Sequence, residues 1–258
     1  MRLFIETSTD PCHNLAVEET LFNSLTDDCL YLWRNRSSVI IGRNQEILTE
    51  VDTDYALTHD IAVIRRITGG GAVYHDLGNI NVSYIFTCDD ENFDDKVRQF
   101  MDLFIVYLQS IGLEPMLTGR NDICVHDARR NLRKISGTAM TQKGNRGLFH
   151  LCLLFDVEMD EMERVLTPSA EKLSSKGVAS VRSRTINIKG LQAQFATWTK
   201  DEFFSHIADW FSRSVDTEDI PIELLSPIND TKKMRYENTE WNYNRKYRKE
   251  KSSCMKLY

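Results

Sequence analysis

The sequence lacks the features that would set it apart from ordinary globular proteins. Its 258 residues include only 12 glycines and 5 prolines, which excludes collagen-like and low-complexity chains. No apolar run approaches the ~18 residues that a membrane-spanning helix needs, and Glu6 interrupts the N-terminus too early for a secretory signal. None of the six cysteines belongs to a C-x-x-C pair. We therefore expect no membrane partner and a reduced protein of the cytoplasm, or of mitochondria in a eukaryote, although no transit peptide is evident.

Basic residues are also in the minority. The chain carries 38 Asp and Glu against 32 Lys and Arg, a formal net charge of −6, and several of the basic residues crowd into the stretch after Trp241. The rest of the chain is therefore clearly acidic, which argues against nucleic acid as a partner. We expect residues 246–258 to form a solvated basic tail, and contact with an acidic partner is the alternative.

The hydrophobic pattern predicts an α+β fold. Apolar residues at helical spacing predict helices over residues 11–25 and 97–111, and a third helix from a capping box at Thr199. Short runs rich in β-branched residues predict strands at 29–33, 39–42, 61–66, 80–87, 122–125, 132–135 and 148–155. This grouping predicts a mixed or antiparallel sheet with flanking helices on one side, and it excludes a doubly wound fold. The apolar pattern fades after Pro227, so we expect one domain that ends near Trp241.

Three consecutive glycines mark the most unusual stretch. Gly69, Gly70 and Gly71 follow Arg65 and Arg66, and each glycine costs roughly 0.5–1 kcal/mol relative to alanine in regular structure. One explanation is that bare backbone N–H groups approach a phosphate or carboxylate, assisted by both arginines. The other is a tight hairpin between residues 61–66 and 72–74 with the arginines in solvent. Composition favours neither, and the spacing matches neither the Rossmann nor the P-loop motif.

A second stretch combines an acidic residue with a lysine. If Leu132, Lys134 and Ser136 share one strand face, Lys134 is either a solvated residue at a sheet edge or a desolvated ammonium that stabilises developing negative charge. The residues alone favour the edge position. Asp122, in the preceding segment, is of the type that holds nucleotide-bound Mg²⁺.

The remaining candidates carry weaker signals. The small, polar and basic residues 174–184 form either a loop that covers a phosphate or a plain surface loop. His75 and His150 lack the spacing of metal ligands, so we expect structural roles for both. Cys152 lies in an apolar run, where we expect a buried and inert thiol.

Taken together, these stretches resemble the lipoate–protein ligase A family. The resemblance runs from about residue 5 to residue 245, and its motifs agree in order and spacing. They are RRITGGGAVYHD at 65–76, GRND at 119–122 and RKISGTA at 133–139, with NLAVEE at 14–19, GRNQ at 42–45, KGV at 176–178 and VRSR at 181–184. The segment FHLC at 149–152 departs from the family because it lacks a His-Gly step.

The resemblance implies a fold, a reaction and a site. The fold would be the biotin/lipoate ligase catalytic domain, similar to that of class II synthetases. The reaction would use ATP and Mg²⁺ to convert lipoate to lipoyl-AMP and then transfer the lipoyl group to a protein lysine, with no bound prosthetic group. The residues implied for ATP or lipoyl-AMP are Arg66, Gly69, Gly70, Gly71, Ala72, Val73, Tyr74, Asp122, Lys134, Ser136, Lys176 and Arg182. Those implied for lipoate are Arg66, Val73, His75 and Lys134, with Tyr74 also beside the apolar tunnel. Lys134 would be catalytic, bridging the lipoyl carbonyl and the phosphate, and Asp122 would lie near Mg²⁺.

The resemblance also implies partners and leaves alternatives. Acceptors would be lipoyl domains of 2-oxoacid dehydrogenase E2 subunits or the glycine cleavage H protein. Two-domain members continue into a C-terminal accessory domain, whereas we expect residues 1–245 to be the catalytic domain and 246–258 only a tail. A separate accessory protein is then a further expected partner. The alternatives are a lipoyl or octanoyl transferase, acting on a preformed acyl-adenylate or through a cysteine thioester, and a non-catalytic lipoate-binding module.

Overall fold

The computed structural model describes residues 1–88, 92–118, 122–167 and 185–243. These residues form one large mixed sheet, one small sheet and seven α-helices, which confirms the α+β prediction. Within the described ranges, no helix is both long enough and apolar enough to cross a membrane.

The large sheet has eight strands. They are β1 (Arg2–Ile5), β2 (Cys29–Trp33), β6 (Asn79–Thr87), β7 (Met116–Thr118), β8 (Asp122–His126), β9 (Leu132–Lys143), β10 (Arg146–Leu154) and β11 (Asp216–Thr217). Their order is β11-β1-β2-β6-β10-β9-β8-β7. β1 is parallel to β2 and β11, and the other neighbours are antiparallel. Five of the seven predicted strands therefore lie in this sheet, and β9 is much longer than predicted because it forms a hairpin with β10.

The small sheet contains the strands on either side of the glycine stretch. It consists of β3 (Ser38–Ile41), β4 (Ala62–Arg65) and β5 (Val73–His75), with β3 in the middle. β3 is parallel to β4 and antiparallel to β5. β4 and β5 are thus separated by β3, so the hairpin explanation for the three glycines is wrong. The glycines instead form a connection from one edge of this sheet to the other.

Local sequence signals explain where the helices begin and end. The helices are α1 (Pro11–Ser24), α2 (Thr53–Thr58), α3 (Phe93–Ser110), α4 (Met159–Val165), α5 (Lys200–Ser212), α6 (Ile222–Thr231) and α7 (Thr239–Tyr243). α1 has proline at its first position, and the Asp10 side chain accepts a hydrogen bond from the Cys12 N–H. α5 has the predicted capping box of Thr199 and Glu202. α3 ends just before Gly112, whose φ is 81°.

The two faces of the large sheet pack against different elements. On one face, α3 and α5 complete the largest core, in which the rings of Phe100, Phe104 and Phe211 stack. On the other face, α1 and α6 cover a second core, so the expectation of helices on one side is wrong. A third core joins the small sheet to α2 and α4.

The C-terminal part of the described chain packs tightly although its apolar pattern is weak. α6 runs through Pro227 and continues into a π-helical segment at Lys232–Tyr236. Ile228 and Tyr236 are buried in the core that α1 covers. The sparse pattern after Pro227 therefore marks helices that bury one residue per turn, and the fold extends to the end of α7.

Candidate active site

A cavity of about 320 Å³ lies between the large sheet and the small sheet. Its volume is at the lower end of the roughly 300–1,000 Å³ typical of small-molecule sites. The predicted site residues that line it are Arg66, Gly70, Gly71, Ala72, Val73, His75, Asp122 and Lys134. Segments that are far apart in the sequence therefore meet at one cavity, as the resemblance implied.

Five strands of the large sheet each place one residue in a row along the floor of the cavity. Cross-strand pairing places them in one row, and all five line the cavity. In order across the sheet they are Trp33, Asn81, Cys152, Gly137 and Asp122. Since neighbouring strands lie about 4.8 Å apart, the row is roughly 19 Å long. The floor therefore runs from a carboxylate at one end to an indole ring at the other.

A β-bulge brings Lys134 to this floor. The register between β8 and β9 shifts so that the pairing skips Ile135. The extra residue places Lys134 and Gly137 on the same face, although they are three positions apart. Lys134 Nζ lies 2.9 Å from the position that a Cβ on Gly137 would take. The expectation that Lys134 and Ser136 share a face is wrong, because Ser136 is fully buried and does not line the cavity.

Lys134 pairs with Asp122 at the open end of the row. Lys134 Nζ and Asp122 Oδ1 are 2.6 Å apart, and their side chains are 33% and 42% exposed. Because β9 lies between β8 and β10, Lys134 is not at a sheet edge, which corrects the reading favoured by the residues alone. A pair this exposed contributes about 0–1 kcal/mol to stability, and in this structure it sets the ammonium beside the carboxylate.

Buried hydrogen bonds from Arg66 hold the glycine stretch. Arg66 Nη2 donates to the carbonyls of Gly69 and Gly71 at 2.6 and 2.8 Å, and Nη1 donates to the Ile40 carbonyl at 2.9 Å. Burial lowers the pKa of Arg66 to about 10, so the guanidinium remains charged at neutral pH. These bonds use the donors that sequence analysis assigned to an anion, and anion binding by Arg66 stays a prediction.

The backbone at Gly70 comes very close to another chain segment. Gly70 has a φ of 89°, and a Cβ on Gly42 would collide with the Gly70 carbonyl oxygen. The glycines were expected to let the backbone approach a ligand closely. Part of this close approach is a contact between Gly70 and Gly42 within the protein. It fixes the loop that carries Gly70 and Gly71 along the cavity wall.

Arg65 binds backbone carbonyls outside the cavity. Its Nη1 donates to the carbonyls of Gly42 and Gln45 at 2.9 and 2.8 Å, and its Nη2 donates to the Asn242 carbonyl at 2.9 Å. Arg65 is 1% exposed and does not line the cavity. The expectation that both arginines face one anion is therefore wrong for Arg65, which ties α7 to the segment around Gly42.

His75 lines the cavity and has one ring nitrogen without a partner among the described residues. Asn14 Nδ2 donates to two backbone carbonyls and to Asn35 Oδ1, and this contact fixes the orientation of the Asn35 amide. Asn35 Nδ2 therefore faces His75 Nδ1, at a distance of 3.2 Å. Nδ1 then accepts, and the proton resides on Nε2, which has no partner among the described residues. Burial lowers the pKa of His75 to about 3, so the ring is neutral at physiological pH.

Sequence reasoning missed a buried carboxylate beside the cavity. Glu18 is 1% exposed, and its Oε1 accepts from Ser83 Oγ at 2.5 Å and lies 2.8 Å from His150 Nδ1. His150 Nε2 lies 3.0 Å from Thr68 Oγ1, which also accepts from Arg66 Nε at 2.9 Å. These contacts link α1 to the glycine stretch. The sequence offered a signal for Glu18, because Asn14 and Glu18 of the NLAVEE motif are four residues apart and therefore lie on the same face of a helix.

Other predicted residues lie elsewhere. The Tyr74 side chain is buried in the third core and does not line the cavity, so the expectation that it borders the tunnel is wrong for its side chain. Gly69 does not line the cavity either, whereas Cys152 is partly exposed and lines it. The expectation that Cys152 is buried is therefore wrong, and the inertness of its thiol stays a prediction. Lys176 and Arg182, with the whole of 176–184, the GRN of 119–121 and the tail 246–258, lie outside the described residues.

Comparison with known proteins gives one consistent family. The model of the lipoyl protein ligase A/B catalytic domain matches residues 10–212. The lipoate–protein ligase LplJ of Bacillus subtilis is 38% identical over 252 residues, covering 94% of this chain and 74% of that protein. Lipoate–protein ligase 1 of Staphylococcus aureus is 44% identical over 183 residues, covering 70% of this chain and 54% of that protein.

Solved structures agree with the sequence matches. A bipartite lipoate protein ligase of Thermoplasma acidophilum, described with its E2 lipoyl domain, has a TM-score of 0.80 at 28% identity, covering 94% of this chain and 95% of that one. A lipoate–protein ligase A bound with ATP has a TM-score of 0.78 at 27% identity, covering 94% and 98%. The fold is therefore that of a lipoate–protein ligase catalytic domain. More narrowly, the chain belongs to the lipoyl protein ligase A/B catalytic domain family.

Proposed function

We propose that this chain is an ATP-dependent lipoate–protein ligase that forms lipoyl-AMP and transfers the lipoyl group to a lysine of a lipoyl domain. The observation that carries the proposal is the position of Lys134 Nζ over Gly137, at the carboxylate-bearing end of a floor long enough for an acyl chain. The match to named lipoate–protein ligases, and to structures described with lipoic acid or ATP, supports the same assignment.

Lys134 acts on negative charge in both half-reactions. In the first, a lipoate carboxylate oxygen attacks the α-phosphorus of ATP, an O–P bond forms, and pyrophosphate leaves with the electrons of the broken P–O bond. In the second, the acceptor amine attacks the acyl carbon, a C–N bond forms, AMP leaves with the electrons of the C–O bond, and the amine loses a proton to solvent. An ammonium already held at the carboxyl end stabilises the charge that develops in each step without reorganisation.

The glycine stretch and Asp122 supply the surroundings of the phosphates. Gly70 and Gly71 line the cavity without side chains, so their backbone is accessible to a phosphate. Asp122 presents one carboxylate there, which fits a Mg²⁺ held mainly by phosphate oxygens and water. Among the residues with described positions, no cluster of three His, Cys, Asp or Glu forms a separate metal site. We assign Lys176 and Arg182 to the same adenylate on the resemblance alone.

Acceptor proteins follow from the family rather than from a surface of this chain. The Thermoplasma ligase is described with its E2 lipoyl domain, so we propose E2 lipoyl domains as acceptors. The glycine cleavage H protein and a separate accessory protein are also part of the proposal. Residues 1–245 would act as the catalytic domain. A cytoplasmic setting, or a mitochondrial one in a eukaryote, completes the proposal.

One observation favours a second candidate function. Cys152 lines the cavity in the same row as Gly137, which is where a thioester-forming thiol of a lipoyl or octanoyl transferase would be needed. The two functions differ in their need for ATP and for the thiol. Cys152→Ala should retain ATP-dependent transfer if the chain is a ligase and lose all transfer if it is a thioester transferase.

Measurement of each half-reaction tests the proposal. Lipoate-dependent ATP–pyrophosphate exchange reports adenylation, and transfer from synthetic lipoyl-AMP to a lipoyl domain reports the second step. We expect Lys134→Ala to fold and to lose both activities by at least about 10²-fold. Wild-type activity in that variant would refute the role of Lys134, and transfer without exchange in the wild type would indicate that activation needs an accessory domain or protein.

A further inference from the structure

We propose that Asn81 and His75 form a terminus site that distinguishes the sulfur-bearing ring of lipoate from the plain alkyl end of octanoate. The proposal rests on the proposed function and extends it to the choice between acyl substrates. It concerns the end of the cavity farthest from the Lys134–Asp122 pair.

The row on the cavity floor gives the position of this site. Asn81 lies two strands from Gly137, over which Lys134 Nζ is held, and this separation is roughly 10 Å. Trp33 is the next residue of the row, and its ring lies 6.0 Å from the His75 ring, centroid to centroid. An acyl chain whose carbonyl contacts Lys134 and which follows the floor therefore ends beside Asn81, His75 and Trp33.

Two buried polar groups at this end have no partner within the described chain. Asn81 is 3% exposed, and its Oδ1 accepts from Asn79 Nδ2 at 3.1 Å, while its own Nδ2 is unpaired. His75 is also 3% exposed, and its Nε2 is unpaired. Both residues line the cavity. A buried donor without an acceptor costs about 1–3 kcal/mol, so a ligand that supplies acceptors gains that free energy on binding.

A dithiolane ring is suited to this environment, and a terminal methyl group is not. Divalent sulfur is a weak hydrogen-bond acceptor and makes favourable contacts with aromatic rings such as that of Trp33. Octanoate offers no acceptor at its far end, so it leaves both donors unpaired. Sites that pair polar groups with one substrate discriminate against analogues that lack the matching group. We expect kcat/KM for adenylation to favour lipoate by at least about tenfold, or about 1.4 kcal/mol.

A matched pair of variants tests the role of Asn81. Asn81→Thr and Asn81→Val have the same shape and suit a strand, but only the threonine carries a polar terminus. ATP–pyrophosphate exchange with lipoate and with octanoate gives a selectivity ratio for each variant. We expect the ratio of the valine variant to be about tenfold below that of the threonine variant. Thr138→Val, a control that removes a hydroxyl group from the side of β9 opposite Gly137, should leave the selectivity ratio unchanged.

The outcomes separate this inference from the proposed function. Equal ratios in the valine and threonine variants, or no preference for lipoate in the wild type, would overturn the terminus site. If neither acid supports exchange, the adenylation proposal fails. The terminus site is then tested by calorimetry, which gives dissociation constants for lipoate and octanoate, and the ratio of these two constants is compared between the valine and threonine variants. Asn81→Ser and Asn81→Ala provide a second pair should the valine variant not fold.

Discussion

Gly137→Ala is the substitution that most directly tests how the fold places the reactive ammonium. Gly137 and Lys134 share the cavity face because of the bulge in β9. A Cβ at position 137 would lie 2.9 Å from Lys134 Nζ and 3.1 Å from Lys134 Cε. Both atoms are at the end of a flexible side chain, so the lysine must move while the backbone remains in place.

The expected effect is large on activity and small on stability. A displacement of about 1 Å of a positioned catalytic group costs about 10²-fold in rate. Replacing a strand glycine by alanine gains roughly 0.5–1 kcal/mol in conformational entropy, which offsets the weakened pair of Lys134 with Asp122, worth about 0–1 kcal/mol. We therefore expect kcat for lipoate-dependent pyrophosphate exchange to fall about 10²-fold, with a change of less than about 1 kcal/mol in the free energy of unfolding.

Exchange kinetics and urea denaturation on the same preparations check both parts. Gly190→Ala is the matched control, because a Cβ there meets no atom within 4 Å, and it should leave both measurements unchanged. Wild-type exchange in Gly137→Ala would refute the placement of the Lys134 ammonium over Gly137. A variant that loses both stability and activity would show instead that the backbone of β9 has shifted.

Three further predictions concern the supports of the cavity. Gly42→Ala sets a Cβ against the Gly70 carbonyl, so urea denaturation should show a loss of about 1–3 kcal/mol; an unchanged midpoint would contradict the close approach. Glu18→Ala removes the partner of partly buried His150 and should cost about 1–3 kcal/mol in the same assay, whereas Glu18→Gln, which keeps an acceptor, should recover most of it. The pKa of His75 is lowered to about 3 by burial, and the unfolded chain binds this proton below about pH 6.5. Stability should therefore fall as the pH drops from about 6.5 towards 3, by up to about 1.4 kcal/mol per pH unit. His75→Gln should lack this contribution. If the free energy of unfolding changes equally with pH in the two proteins between about pH 7 and pH 5, the prediction is wrong.

Much of the secondary structure was readable from local patterns. Helix α1 begins at Pro11 behind the Asp10 cap, and α5 begins at its capping box, because caps are made by residues adjacent in sequence. The strand runs were visible for the same reason, since period-two and β-branched patterns depend only on neighbouring residues. The extent of β9 was underestimated because its residues beyond 135 are small and polar, and only pairing with β10 shows that they form a strand.

The site was predicted in part, residue by residue. Motif resemblance brought Arg66, His75, Asp122 and Lys134 to one cavity before any contact was known. The direction in which side chains point was less accessible. Tyr74 is adjacent to His75 in β5 and faces the opposite side of the small sheet, where it enters the third core. A motif identifies positions in the sequence, whereas the role of a residue also depends on the face of the strand or helix on which its side chain lies.

Local periodicity and motifs in fixed order were enough to establish the α+β class, the main helices and strands, and the family. The contacts of those motifs could be read only from the folded chain. It showed Arg65 and Arg66 bonded to backbone carbonyls, joined Glu18 to His150 across the core, and placed Lys134 beside Gly137 through a one-residue bulge. Each of these depends on contacts between residues far apart in the chain, and the energy of such contacts is not encoded in any local stretch.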